Sequence, residues 1–413
     1  MKYDFETLIP RYGVGSGKWD EMREEIPDIP DDIVPLSVAD MEFKNAPEIV
    51  EGLKEYLDTS ILGYTHATDA YYRAVTGWME RRHGFSPKKE WFVEYAGVVP
   101  ALRHMVGVFT KPGDSVMITT PVYYPFRGAA EFNRCHVVEN ELIEKDGRYT
   151  IDFADFEEKA KREEVKLYIL CSPHNPVGRV WTEDELRRIA EICLANDVFI
   201  LSDEIHFDLI MPGYRHVSMM NLEEKYRDNC AVCTSPGKTF NLAGMQASNI
   251  FISGERRREA VRRARGHFSL NALSYKATEL AYTRSEEWMR EMLGYIDANK
   301  TFVTAFLREH LPFVKVTELE GTYLLWLDFR ALGLSKQELE ELMRKKAYLF
   351  LDEGYIFGRG GEGFERLNLA CPRRVLAGAL EHWRKRSSKY TAHKNCGNYG
   401  VMPLCVGRQK IFR

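Results

Sequence analysis

The turn Thr234-Ser235-Pro236-Gly237-Lys238 sets a lysine at the close of a polar, glycine-containing loop that directly follows a strand-like run. A lysine so placed can face a crevice; taken alone it reads as a solvated surface lysine. Other strand ends carry groups that match it. In FILSDEIHFDL, Asp203 follows a buried run, and open α/β sheets place ligand contacts at the carboxyl ends of their strands; the alternative is a capping aspartate. Asn175, in Ser172-Pro173-His174-Asn175-Pro176-Val177-Gly178, offers a neutral donor from a proline-fixed loop, or else closes an Asx-type turn. The junction Gly97-Val98-Val99-Pro100 leads from a strand into a helix whose first amides can hold a phosphate. An amine, a carboxylate, an amide and an anion cradle thus stand at successive strand ends.

These positions rest on a regular alternation of short β-branched or aromatic runs with long amphipathic stretches, the pattern of a largely parallel sheet covered by helices on both faces. Strands are expected at Phe92–Ala96, Ser115–Thr119, His136–Glu139, Lys166–Cys171, Val198–Ser202, Ala231–Thr234 and Asn249–Ile252. The clearest helix start is Thr182, where Thr-Glu-Asp-Glu has the capping-box form. After Phe268 the pattern turns helical, over Asn271–Ser285 and Glu286–Leu311. A second strand-rich segment follows, with strands Val314–Val316, Tyr323–Phe329 and Glu365–Leu369 and helices Ser335–Lys346 and Arg373–Arg386. The division expected is an N-terminal segment over 1–45 packing with a small domain, a large domain over 46–285, the small C-terminal domain over 286–386 and a polar, basic appendage over 387–413.

In chain order the four junctions resemble the fold-type I enzymes that use pyridoxal 5'-phosphate, the class that includes the aminotransferases. The pieces RYGVGSGKWD, PLSVADMEF and ILGYT narrow the resemblance to the MalY/PatB family of pyridoxal-phosphate C–S lyases, over roughly residues 10–386. The resemblance implies that Lys238 forms the Schiff base and that Asp203 keeps the pyridine nitrogen protonated. It further implies that Tyr123 of TPVYYPF, with Tyr124 as the alternative, stacks on the ring, and that Asn175 bonds the ring hydroxyl oxygen. The Val98 and Val99 amides and the Ser235 hydroxyl would hold the phosphate, joined by Tyr64 from the partner of a homodimer whose active site lies at the interface. Arg366, in Phe364-Glu365-Arg366-Leu367-Asn368, would take the substrate carboxylate in bidentate fashion. Two positions depart from the aminotransferase pattern toward the lyase branch. His206 stands three residues after Asp203, where tyrosine is usual and a cofactor contact is expected, and Gln246 stands eight after Lys238, where a phosphate-binding arginine is common.

The function so implied is β-elimination from L-cystathionine or another cysteine S-conjugate, giving a thiol, pyruvate and ammonia. The alternatives are an aminotransferase using the same residues and, from a different class, a regulatory protein-binding role for which no surface is identifiable. The chain has 413 residues, 45% hydrophobic and 29% charged, with 57 Lys+Arg against 61 Asp+Glu and a net charge of -4, which excludes a small disulfide-stapled fold and lacks the basic excess of nucleic-acid binders. No secretory core or membrane-length apolar run is present, and eight cysteines without framework spacing suit a reducing cytoplasm. Cys230 and Cys233 form a C-x-x-C, but their odd offset on a strand points them to opposite faces, so a buried structural role is expected rather than redox or metal chemistry.

Overall fold

Strands that read as unbroken apolar runs have to be covered on both faces, and the fold of this chain does so. The computed structural model describes residues 1–394. Its large sheet contains β1 (Phe92–Tyr95), β2 (Ser115–Thr120), β3 (His136–Glu141), β6 (Val165–Cys171), β7 (Phe199–Asp203), β8 (Cys230–Thr234) and β9 (Ser248–Phe251), in the order β1-β9-β8-β7-β6-β2-β3; a hairpin of β4 (Ile143–Lys145) and β5 (Arg148–Thr150) stands apart. Only β9 runs against its neighbours, so β1, β2, β6, β7 and β8 all end on one edge. Each expected strand of this sheet is present within two residues of its expected ends. The C-x-x-C behaves as its spacing predicts: Cys230 packs into the core on one face and Cys233 into the core on the other.

The helices follow the same logic. In Val98–Phe109 the buried residues Val98, Ala101, Leu102, Met105 and Val106 form one stripe, which lies on the sheet against Ile118, Leu201 and Ala231. The capping box at Thr182 is formed: its hydroxyl accepts from the Glu185 amide and the Glu185 carboxylate accepts from the Thr182 amide. Residues 272–284 and 286–310 form the two expected helices.

A second sheet, β10 (Lys315–Val316), β11 (Leu324–Asp328), β13 (Phe364–Asn368) and β12 (Asp352–Glu353) in that spatial order, is wholly antiparallel. The helix expected over Ser335–Lys346 is α-helical only over Lys336–Glu340 and continues as a wider π-turn over Glu341–Lys346. The last helix does not stop at Arg386 but runs from Arg373 to Lys394, because the glycines and proline expected to break it begin only at Gly397. The remainder of the expected appendage, with Cys396 and Cys405, lies outside the described residues. An N-terminal strap crosses between the sheets: Leu36 donates to the Phe350 carbonyl at 2.8 Å, Glu42 to Ala370 at 2.8 Å, and Met41 to the side chain of Asn241 at 3.0 Å. Among the described residues no helix is long and apolar enough to cross a membrane.

Candidate active site

The shared carboxyl edge of β1, β2, β6, β7 and β8 forms the floor of a cavity of about 250 Å3, walled opposite by Val38 and Ala39 of the strap and by Asp352 and Arg366 of the small sheet. Lys238, Asp203, Tyr123, Val98, Val99, Asn175, His206, Ser235 and Arg366 all line it. Tyr64 does not. It is fully exposed, between the helices Pro47–Thr59 and Asp69–His83, beside the exposed Ile61 and Leu62.

Lys238 projects from the short helical turn Pro236–Thr239, whose first turn is fixed by Ser235 accepting from the Gly237 amide at 2.9 Å. Its Nζ donates to the Ala39 carbonyl at 2.6 Å. Burial, reinforced by the nearby Arg366 charge, lowers its pKa to about 8, so a sizeable fraction of the amine is neutral and nucleophilic near neutral pH. Asp203, the last residue of β7, is buried, and its Oδ1 accepts from the Ile205 amide at 3.1 Å. Burial raises its pKa to about 7, only partly offset by that amide and by the charge of Lys238. A carboxylate held this way is short of a cationic donor.

The two tyrosines after β2 differ in depth. Tyr123 is half-buried, with burial raising its phenol pKa, and its amide donates to the Asn175 carbonyl at 3.1 Å; Tyr124 is 53% exposed. His206 is buried and neutral, because burial and the charges of Lys238 and Arg366 all push its pKa down, and its Nδ1 has no hydrogen-bond partner among the described residues. The helix Val98–Phe109 opens on Gly97 at φ 116, a conformation that favours glycine, with no capping side chain, and Pro100 sits where the missing N–H costs nothing. Val98 and Val99 of this first turn line the cavity, where the unpaired amides of a helix start can hold an anion. Ser235 lines the same end, but its hydroxyl proton goes to the Ala247 carbonyl at 2.6 Å and would have to be redirected to reach an anion.

Arg366 is not a surface residue: it is 3% exposed, donates from Nη1 to the Asn175 side-chain oxygen at 2.8 Å, and lies over the Phe357 ring. Sequence reasoning missed three participants. The Ala39 carbonyl accepts from Lys238 and also from the Tyr323 hydroxyl at 2.9 Å, and Asp352 pairs with Arg366 at 2.6 Å. PLSVADMEF was a usable signal for the strap. Asp352 and Tyr323 carried none, because their relevance exists only after β11, β12 and β13 pair.

The cavity thus brings together an amine near its neutral form, a buried carboxylate, a helix terminus, an aromatic face and a guanidinium. The profile of the aminotransferase class I and II family matches residues 31–382. The chain belongs to this family. Within it, cystathionine β-lyase PatB of Bacillus subtilis is 42% identical over 380 residues, spanning 91% of this chain and 98% of that protein. The fold is shared with cystalysin of Treponema denticola, whose crystal structure contains pyridoxal 5'-phosphate (TM-score 0.93, 48% identity, 94% and 100% of the two chains). It is also shared with a pyridoxal-phosphate-bound C–S lyase of Staphylococcus hominis (TM-score 0.86, 32% identity, 94% and 98%). The residues matched to the family include both sheets and every residue that lines the cavity.

Proposed function

We propose that the chain binds pyridoxal 5'-phosphate and cleaves the C–S bond of L-cystathionine or a related cysteine S-conjugate by β-elimination, releasing a thiol, pyruvate and ammonia. The observation that carries this reading is the meeting, in one cavity, of the Lys238 amine with a buried Asp203 carboxylate and a buried Arg366. The groups lining the cavity fit the cofactor: Asp203 for the protonated ring nitrogen, the Val98 and Val99 amides for the phosphate, Tyr123 for the ring face, Asn175 for the ring hydroxyl oxygen, and His206 and Ser235 beside them.

Bound pyridoxal phosphate supplies an electron sink for the substrate's Cα. The chain's own residues do the rest. Lys238 would hold the cofactor through its aldehyde, and its Nζ would take the Cα proton as general base. Asp203 holds the proton on the ring nitrogen. Arg366 would fix the substrate carboxylate and Tyr123 the ring face, so that the substrate's Cα is oriented for proton removal. A transaminase would return that proton to the cofactor instead, and the His206 and Gln246 positions, which differ from the usual tyrosine and arginine, favour elimination.

With L-cystathionine, added pyridoxal phosphate and no 2-oxo acid, we expect pyruvate and free thiol in equal amounts. If neither forms while the cofactor passes to its amine form, the aminotransferase reading replaces this one.

A homodimer completes the site in this reading. Tyr64, Ile61 and Leu62 form an exposed apolar cluster that suits burial against a second copy, with the Tyr64 hydroxyl reaching the partner's phosphate cradle. Tyr64→Ala should weaken cofactor affinity roughly 10-fold, the worth of one charge-assisted hydrogen bond, without altering the mass measured by light scattering. A monomeric native protein would remove this part of the proposal. Residues 46–285 are taken as the cofactor-binding domain, with 286–386 and the strap over 1–45 as the smaller unit facing it. The six described cysteines, all buried and unpaired, support a cytoplasmic location.

A further inference from the structure

Arginine has five N–H donors, and in this cavity three of those of Arg366 are already spent. Nε and Nη2 both donate to Oδ2 of Asp352, at 3.2 and 2.6 Å, and Nη1 donates to Asn175 at 2.8 Å. Asp352 thereby occupies the Nε edge of the guanidinium. One N–H remains on each terminal nitrogen, the pair needed for two parallel bonds to a carboxylate.

Asp352 stands directly opposite Arg366 in the β12–β13 ladder and lines the cavity itself. The same Oδ2 accepts a further bond, from the Val38 amide at 2.9 Å. Val38 has φ 56, an unfavourable conformation for a β-branched residue, and it is held from the other side by Asn368, whose side chain donates to the Val38 carbonyl at 2.8 Å. The next carbonyl along, that of Ala39, is the one that receives Lys238 Nζ. One carboxylate oxygen thus ties the guanidinium to the strap segment that seats the lysine.

We propose that Asp352 is a positioning residue for substrate recognition: it turns the free edge of Arg366 toward the substrate carboxylate and holds Val38–Ala39 over Lys238. This rests on Arg366 being the carboxylate ligand. Without Asp352 the guanidinium keeps its charge and its contact with Asn175 but loses the two bonds that fix its rotation, so ligands carrying a carboxylate suffer selectively.

The test uses the holoenzyme and two non-reacting ligands, 3-(methylthio)propionate and its carboxamide, with affinities read by calorimetry. Asp352→Asn, which preserves shape and removes the charge, should weaken the acid about 10-fold and leave the amide unchanged. KM for S-methyl-L-cysteine should rise in parallel, with kcat changed far less. Asp352→Glu should recover part of the loss. Equal weakening of acid and amide, or no weakening of either, overturns the proposal. Arg366→Lys separates the two layers. If it too leaves the acid's advantage over the amide intact, Arg366 is not the carboxylate ligand and the underlying reading fails. If it abolishes that advantage while Asp352→Asn preserves it, only the role of Asp352 fails.

Discussion

A Lys238→Ala variant is expected to release pyruvate from L-cystathionine at least about a thousandfold more slowly than the native protein while remaining folded. Two functions vanish with one amine: attachment to the cofactor aldehyde and removal of the Cα proton, the second alone worth about 10^2- to 10^4-fold. The fold should tolerate the change, since the side chain ends in a cavity, its amine bonds to the Ala39 carbonyl, and Tyr323 still donates to that carbonyl. The absorbance near ~420 nm expected of lysine-bound pyridoxal phosphate should be absent. In the native protein the amine must be neutral to attack, and burial beside Arg366 lowers its pKa to about 8. Capture of pyridoxal phosphate by apoprotein should therefore quicken as pH rises through about 8 and level off above it, and the alanine variant should show no such step. An unchanged ~420 nm band in Lys238→Ala would assign the attachment to another residue.

The floor of this site was legible in the sequence and its roof was not, for a physical reason. Asp203, Asn175, Lys238 and the Val98–Val99 amides each sit within a few residues of a strand whose apolar run can be seen locally, and parallel strands bring their carboxyl ends to one edge without further information. The pairing order could not be read in the same way: β1 lies beside β9, far away in sequence, and nothing in Phe92–Tyr95 specifies that neighbour. The roof is assembled from residues with no local signature. Val38 and Ala39 enter through a strap held by backbone bonds to Phe350 and Ala370, and Asp352 matters only because antiparallel register sets it opposite Arg366. Arg366 itself was recognisable from its motif, but its burial and its ion pair follow from the ladder rather than from the motif. Tyr64 is the converse case, a residue singled out by its motif that a single chain leaves in solvent.

Asp203→Asn should separate stability from activity in opposite directions. In the apoprotein, burial raises the Asp203 pKa from 3.8 to about 7, which means the folded state prefers the neutral acid. A group raised in this way contributes most to stability at pH below its unfolded value and loses that contribution as pH climbs through the folded one; the full loss has a ceiling of about 4 kcal/mol. Asparagine has no charge to lose. The variant apoprotein should therefore melt at the same temperature as native apoprotein near pH 4 and above it at pH 8, with the gap opening between. Activity should fall by about 10^2- to 10^3-fold even with cofactor bound, because a neutral amide cannot hold a proton on the ring nitrogen or favour the charge that develops beside it. The same buried carboxylate that penalises the empty cavity at neutral pH is thus the group that makes the occupied one reactive, and a cation delivered by the ligand converts the cost into binding. Saturating pyridoxal phosphate should accordingly raise the melting temperature of the native protein more than that of the variant at pH 8. A variant that keeps native turnover within tenfold, or an apoprotein gap that does not change with pH, would remove Asp203 from this role.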